Sequence, residues 1–312
     1  MFKNLIVYRI APGWQANFAA AQAALDAARF VGCAATQPLS AGWAPPRGVP
    51  HAPLLESVAG QWLMQLLIEQ RVLPSAVVKR HTEERAAELE QATGRKPGKR
   101  QLKELKEEAV LELLPRAFTK QASVKVWLDP VQRLVMVDAA SAAKADAVVT
   151  HLVRALDGLA LAPLHTVQSS AAAMSEWLTT GEPPAAFSVD RECQLKSADE
   201  MKSVVRYARH ALDIEEVRQH IAGGKLPTQL ALTWRGRVSL LLTDTMQLKK
   251  LTFLDGVIEG AKPGSDDAFD ADAAIATGEL GQLVPDLVDA LGGEHVPGTA
   301  PVSAPVTLPL AA

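Results

Sequence analysis

Hydrophobic and polar residues alternate in some stretches of the chain and recur at helical spacing in others, which predicts a mixed α+β protein. Residues 2–10 alternate and are rich in Ile, Val and Tyr, as is typical of a strand. Residues 14–30 place Phe18 and Leu25 at helical spacing and predict a helix. The proline-rich stretch 38–53 favours neither regular element. Further strands are predicted at 60–72 (with Trp62 to Ile68 as its apolar part), 121–128, 132–138, 186–196, 203–208, 227–234, 236–243 and 247–254. Further helices are predicted at 141–157, 173–180 and 213–222, with a last helix that is preceded by the Asp-rich segment 266–272 and ends at Gly292-Gly293.

A change in the pattern at residue 75 predicts a separate pair of helices. The sequence becomes highly charged and helical in pattern over 75–92 and again over 99–114. The break between them contains Gly94, a helix-ending glycine, and Pro97, which cannot continue a helix. Apolar residues form a narrow stripe on the second helix, so we predict a projecting helical hairpin rather than a core. The stripe comprises Leu102, Leu105, Ala109 and Leu113.

The order of these elements divides the chain into two mixed α/β units, an insert and a tail. Residues 1–74 and 117–165 are predicted to form a central α+β domain, interrupted by a helical tip insert at 75–116. Residues 166–295 are predicted to form a second α+β unit, the base domain. Residues 296–312 contain four prolines and no charged residue, and we expect a disordered Pro/Ala tail there.

Composition restricts the class of protein. With 312 residues, of which 48% are hydrophobic and 21% charged, a wholly disordered or fibrous protein is excluded. Two cysteines, Cys33 and Cys193, exclude a disulfide scaffold and a four-cysteine zinc site, and we expect free thiols. The N-terminal residues lack the long apolar stretch and the small-residue cleavage site of a signal peptide, and no apolar run approaches about 20 residues. A cytoplasmic protein without membrane contact is therefore expected.

Charge is concentrated in blocks although the net charge is -3. Residues 79–125 contain 12 basic and 8 acidic residues, whereas residues 251–312 contain one basic and ten acidic residues. Clustered Lys and Arg side chains bind nucleic acid through its phosphates with little regard to sequence. The alternative is an ordinary solvated surface. The candidate phosphate-binding residues are Arg95, Lys96, Lys99, Arg100, Lys103, Lys106, Arg116, Lys120 and Lys125, with a second block at Lys202, Arg206, Arg209 and Arg218.

The sequence lacks the common catalytic and cofactor motifs. We find no phosphate-binding loop, Gly-x-Ser-x-Gly elbow, His-Glu-x-x-His pair or Cys-x-x-Cys pair, and we expect no catalytic residue, metal or cofactor. An acidic group offers an alternative, because carboxylates two residues apart can share the divalent ion of a nuclease. The same residues are typical of the first turn of a helix. They are Asp266, Asp267, Asp270 and Asp272.

Short motifs occur in one order along nearly the whole chain, from residue 2 to about 294. They are Phe-Lys-Asn-Leu-Ile-Val-Tyr-Arg (2–9), Gly-Trp-Ala-Pro-Pro-Arg-Gly (42–48), Gly-Arg-Lys (94–96), Leu-Leu-Pro-Arg-Ala-Phe (113–118), Met-Val-Asp-Ala-Ala-Ser-Ala-Ala-Lys-Ala (136–145), Leu-Lys-Lys-Leu-Thr-Phe-Leu-Asp (248–255), Phe-Asp-Ala-Asp (269–272), Thr-Gly-Glu-Leu (277–280) and Leu-Gly-Gly-Glu (291–294). Together these motifs resemble the recombination-associated proteins of the RdgC family.

The resemblance implies a non-catalytic, nucleoid-associated protein that binds duplex DNA without sequence preference and restrains the RecA recombinase. It also implies an α+β homodimer whose subunits meet at both ends to form a ring around DNA. The tip insert would meet its partner, with Phe118 at the contact, while Arg95, Arg116 and Arg209 would lie toward the DNA. His210 is grouped with these DNA-binding residues, although the family has another polar residue there. Binding to single strands is left open.

Two other functions compete with this interpretation. One is a metal-dependent nuclease that uses the acidic residues at 266–272. The other is a protein-only adaptor whose basic blocks bind acidic partners.

Overall fold

The computed structural model describes residues 2–254, 256–257 and 266–295, which form a mixed α/β protein with seven α-helices and two antiparallel sheets. The helices are α1 (Phe18–Ala27), α2 (Ser75–Thr93), α3 (Lys99–Leu113), α4 (Ala142–Ala155), α5 (Ser170–Thr180), α6 (Glu215–Ala222) and α7 (Asp266–Ala290). The strands are β1 (Ile6–Ile10), β2 (Leu39–Ala44), β3 (Glu56–Val58), β4 (Gln61–Val72), β5 (Phe118–Asp129), β6 (Leu134–Val137), β7 (Leu161–Pro163), β8 (Phe187–Ser197), β9 (Val204–Ala208), β10 (Lys225–Trp234), β11 (Val238–Thr243) and β12 (Leu248–Phe253).

The first sheet is built around its longest ladder. Its strands follow the order β2-β4-β5-β6-β1-β7, and β3 pairs with β4. β4 and β5 are 12 residues long each and pair from Trp62–Leu128 to Val72–Phe118. The Leu128 end of β5 is buried, whereas its first four residues are exposed. The ladder therefore runs from the core to the surface, where the chain leaves it to form α2 and α3.

The two faces of the first sheet pack against different partners. On one face, α1 and α4 cover a cluster that includes Met64, Leu66 and Val126. On the other face, Leu63 and Trp127 belong to a cluster that also contains residues of the second sheet, α5 and α7. The two sheets are thus joined by a shared hydrophobic core.

The second sheet has the strand order β12-β11-β10-β8-β9 and is tied to the start of the chain. Leu5 and Leu248 exchange backbone hydrogen bonds of 2.7 and 3.0 Å, and the Leu251 N–H donates to the Lys3 carbonyl. The N-terminal segment therefore runs along β12, at one edge of this sheet.

α2 and α3 pack side by side as antiparallel helices. Glu112, near the end of α3, accepts hydrogen bonds of 3.0 Å from His81 and 2.8 Å from Arg85 of α2. These donors lower the pKa of the Glu112 carboxyl, the His81 contact most strongly. Gly94 ends α2 in the left-handed conformation, φ 68°, and its N–H donates to Glu90. The predicted helices and the glycine between them are confirmed, while their projection from the protein stays a prediction.

The prediction for the proline-rich stretch 38–53 is wrong in part, because Leu39–Ala44 forms β2. Pro38 and Pro45 flank this strand, which lies at an edge of the sheet, and proline is tolerated at such positions. The short strands β3 and β7 also have no counterpart in the sequence prediction. The proposed domain limits stay predictions, and the predicted disorder of residues 296–312 lies outside the described residues.

Gly42 in β2 allows a close approach of two backbones. A Cβ atom at this position would lie 2.5 Å from the Cα of Phe30. On either side of the contact, Phe30 N–H donates to Trp43 O at 2.8 Å and Trp43 N–H donates to Ala28 O at 3.0 Å. The Trp43 side chain is fully buried. The Gly-Trp pair of the 42–48 motif therefore has a packing role.

We predict that Gly42→Ala destabilises the protein by about 1–3 kcal/mol, because the new methyl group overlaps backbone that cannot move without breaking these bonds. Urea unfolding measures the change. Gly13→Ala is the matched control, since a Cβ there meets nothing within 4 Å, and a surface change of this kind stays within about 0.5 kcal/mol. Equal unfolding midpoints for the two variants would contradict the proposed packing role.

Candidate nucleic-acid interface

The cations predicted at the tip are exposed and neighbouring in the structure. Arg95 and Lys96 lie in the connection between α2 and α3, and Lys99, Arg100 and Lys103 lie at the beginning of α3. All five side chains belong to exposed residues. A phosphate backbone could reach each of them without any change in the fold.

Ion pairs divide these cations into two groups. Arg100 lies 3.1 Å from Glu104 and Lys103 lies 3.8 Å from Glu107, each one turn along α3. Within the described residues, no acidic group forms an ion pair with Arg95, Lys96 or Lys99. Exposed pairs contribute about 1 kcal/mol or less, so phosphates can replace their acidic partners. Among these five cations, the three without an acidic partner therefore lie in the connection and the first turn of α3.

Arg71 of β4 binds the chain at the root of the helix pair, by which we mean the point where residues 73–117 leave the first sheet and return to it. Its guanidinium donates hydrogen bonds to carbonyls of Cys33 and Ala34 on one side, at 3.1–3.2 Å. On the other side it donates to the carbonyls of Leu114, Pro115 and Ala117 at 3.1–3.4 Å. The planar fork of N–H donors allows one side chain to bind several acceptors at once. Arg71 thus joins the end of α3 to the sheet.

A buried carboxylate accompanies Arg71 on the same face of β4. Glu69 is 7% exposed and accepts hydrogen bonds of 2.7 Å from the Gln121 amide and from the Cys33 N–H. The Gln121 contact, followed by the Cys33 contact, lowers the pKa of Glu69, and Arg71 adds to the effect. Our sequence analysis missed this pair. The i, i+2 spacing of two opposite charges on a predicted strand is the signal that places them on one face.

The chain returning from α3 exposes both a cation and an aromatic ring. Arg116 lies exposed in a 3₁₀ turn, Leu114–Arg116. Phe118 is 87% exposed and pairs across the ladder with Val72, which is 45% exposed. Phe118 is therefore not a core residue. The two neighbouring apolar side chains are therefore available for a contact with another molecule.

A groove of about 1210 Å³ separates the helix pair from the end of the β4–β5 ladder. Lys120, a predicted site residue, lines it together with Lys79 and Lys106. The apolar lining residues include Val72, Leu73, Val78, Leu102, Val110 and Leu114. Lys120 is thus positioned beside the root of the pair rather than at the connection between the helices.

The other predicted site residues, Arg209 and His210, lie in the bend that follows β9, an edge strand of the second sheet. Arg209 has a left-handed backbone, φ 56°, and its side chain is exposed. His210 Nδ1 lies 2.7 Å from the Ala211 carbonyl oxygen, and its ring centroid lies 5.8 Å from that of Tyr207. Burial, together with Glu216, raises the pKa of Tyr207 to about 12. Among the described residues, no contact joins this group to the cations of the helix pair.

One member of the acidic group has a structural partner. Asp270 lies 2.6 Å from Arg47, which also binds both carboxylate oxygens of Glu56 at 2.8 Å and lies 4.6 Å from the Phe269 ring centroid. These carboxylates, Glu56 first, raise the pKa of Arg47. The side chains of Asp266 and Asp267 are outside the described part of the chain. Within that part, no group of three His, Cys, Asp or Glu residues could hold a metal ion.

Comparison with known proteins identifies the family. A family model with the description "Putative exonuclease, RdgC" matches residues 1–294. The chain belongs to the RdgC family. It is 46% identical over 301 residues to the "Recombination-associated protein RdgC" of Dechloromonas aromatica, covering 95% of this chain and 98% of that protein. The proteins of the same name from Cupriavidus pinatubonensis and Bordetella pertussis are 45% and 40% identical over 94% of this chain and cover 99% and 98% of their own length.

The resemblance inferred from the motifs is therefore confirmed. The match to the RdgC family ends at residue 294, just before the Pro/Ala segment. In the part of the chain that the structure describes, no helix has the length and apolar character needed to cross a membrane.

We predict that Arg71→Lys loosens the root of the helix pair, because an ammonium group cannot bind carbonyls on both sides at once. Hydrogen bonds to charged groups contribute about 1.5–3 kcal/mol. Hydrogen exchange at the Ala117 amide, which bonds to Leu114 O at 3.1 Å, is expected to accelerate by at least about tenfold. Arg80→Lys, at an exposed position of α2, serves as the control. Unchanged exchange at Ala117 would rule out this role for Arg71.

Proposed function

We propose that this RdgC-family protein is a non-catalytic protein of homologous recombination that binds duplex DNA without sequence preference. The observation that carries the proposal is the exposed cationic group at the connection between α2 and α3, three members of which have no acidic partner among the described residues. Cations of this kind displace counterions from phosphates and read no base edges. The relatives' name, "Recombination-associated protein RdgC", supports the same process.

The proposal includes a homodimer closed into a ring around the DNA. The exposed apolar pair Phe118 and Val72 supports a subunit contact at the root of the helix pair. A ring of cations would hold DNA by its backbone, so the protein would associate with the nucleoid. It would restrain the RecA recombinase by occupying or contacting the same DNA.

A nuclease is the second candidate, favoured by the family description "Putative exonuclease, RdgC". It would use the acidic residues at 266–272, of which Asp270 would have to leave Arg47 to bind a metal ion. Plasmid DNA incubated with the protein and Mg²⁺ distinguishes the two functions, because a nuclease would cleave the plasmid. Our proposal requires that the protein retards the plasmid and leaves it uncut.

We predict that the joint change of Arg95, Lys96, Lys99 and Arg100 to Ala weakens binding by the same factor on unrelated duplexes. The slope of log affinity against log salt is about -0.9 per phosphate neutralised. The change is therefore expected to flatten the slope by several units, with about seven units as the limit for the eight charges lost per dimer. Binding titrations on two unrelated duplexes at four salt concentrations measure both effects.

The matched control is Lys79→Ala with Arg80→Ala, near the beginning of α2 and therefore at the opposite end of this helix from the connection to α3. This variant is expected to leave the slope nearly unchanged. An unaltered slope in the quadruple variant, or a loss confined to one duplex, would reject the proposed role of the helix pair.

We predict that Phe118→Ser opens one of the two subunit contacts while the dimer stays joined at the other. The exposed ring is replaced by a small hydroxyl group that cannot bury apolar surface. Small-angle X-ray scattering is expected to report a more extended particle of unchanged mass. A variant with the closed outline of the wild type would show that Phe118 does not lie at the contact.

A further inference from the structure

The last helix, α7, contains a proline inside its length, at position 285. Proline has no N–H group, so it cannot donate to the carbonyl four residues earlier, as other helical residues do. That carbonyl belongs to Gly281. Pro285 therefore leaves the Gly281 oxygen without its helical donor, and a carbonyl away from water needs a donor from elsewhere.

The first sheet supplies this donor. Gln132, in the turn between β5 and β6, donates from its side-chain amide to the Gly281 oxygen at 2.9 Å. Both residues are half-buried. The turn itself is fixed by Asp129, whose carboxylate accepts a hydrogen bond of 2.8 Å from the backbone N–H of Gln132. One defined residue of α7 is thus bound to the first sheet.

The same part of α7 is bound to the second sheet. Asp286 accepts a hydrogen bond of 2.8 Å from the indole N–H of Trp234, at the end of β10. Glu279 accepts one of 2.8 Å from Arg237, just before β11. Gly281 lies between these two acidic residues along the helix. Within residues 279–286, α7 is therefore tied to both sheets.

The proposed DNA-binding cations are divided between these two sheets. The helix pair is inserted between β4 and β5 of the first sheet, whereas Arg209 follows β9 of the second. Two linked binding sites strengthen each other only if their geometry lets both reach the same ligand. The orientation of one sheet relative to the other therefore decides whether both groups can bind one duplex.

We propose that Gln132 is a positioning residue for DNA binding. By binding the carbonyl that Pro285 leaves without a donor, it holds α7 and the second sheet in the orientation in which Arg209 and the cations of the helix pair reach one duplex. The inference rests on the proposed DNA binding and adds to it an uncharged residue that acts through these cations.

Two variants separate this role from a contribution to stability. Gln132→Ala leaves the Gly281 carbonyl without a donor, and we expect the melting temperature to fall by about 2–4 °C. Adding Pro285→Ala supplies an N–H within α7 for the same carbonyl and removes a residue that helices disfavour. The double variant is therefore expected to recover the wild-type melting temperature while the link to the first sheet stays absent.

The salt dependence of duplex binding is the deciding measurement. Each phosphate neutralised contributes about -0.9 to the slope of log affinity against log salt. If Arg209 of both subunits no longer reaches the duplex, the slope of the double variant flattens by up to about two units, although neither changed residue is charged. Adding Arg209→Ala is expected to flatten the slope of the wild type and to leave that of the double variant unchanged.

Two single variants serve as controls. Pro285→Ala alone keeps Gln132, and a carbonyl oxygen can accept both its bond and that of the new N–H. Gln282→Ala removes an exposed glutamine from the same turn of α7. Both controls are expected to bind duplex DNA with the wild-type slope.

A double variant with the wild-type melting temperature and the wild-type slope would overturn the inference, because Gln132 would then serve stability alone. A double variant that stays as unstable as Gln132→Ala would overturn it as well, since the link would not run through the Gly281 carbonyl. Failure of the proposed function is a different result, because it appears in the wild type: a protein that does not retard duplex DNA at low salt.

Discussion

The antiparallel ladder between β4 and β5 determines where the candidate interface can lie. Val72 and Phe118 are paired at its exposed end, so residues 73–117 leave and return to the sheet at one point. A long insertion between paired residues costs little additional loop entropy. The pairing alone would leave the inserted helices free to tilt. Arg71, one residue before the end of the ladder, restricts this freedom by binding carbonyls on both sides of the root.

The charges of the helix pair have different functions according to their partners. Glu112 binds His81 and Arg85 across the two helices and holds them together. Arg100 and Lys103 bind acids one turn along their own helix, which stabilises α3 by a few tenths of a kcal/mol. The cations around Gly94 lie where the backbone turns, beyond the reach of these acids. The turn that ends α2 thus separates the charges that stabilise the pair from those available to a polyanion.

The helix pair could be predicted from the sequence because its signals are local. Gly94 and Pro97 mark the break, and the observed helices end within one residue of the predicted limits. The sequence analysis missed β2 because the flanking prolines Pro38 and Pro45 indicate an irregular segment. The strand is instead stabilised by pairing with β4, whose residues lie more than 20 positions further along the chain. The contact between Arg47 and Asp270 spans more than 200 residues, and no spacing rule connects them. The exposure of Phe118 likewise depends on where the ladder ends.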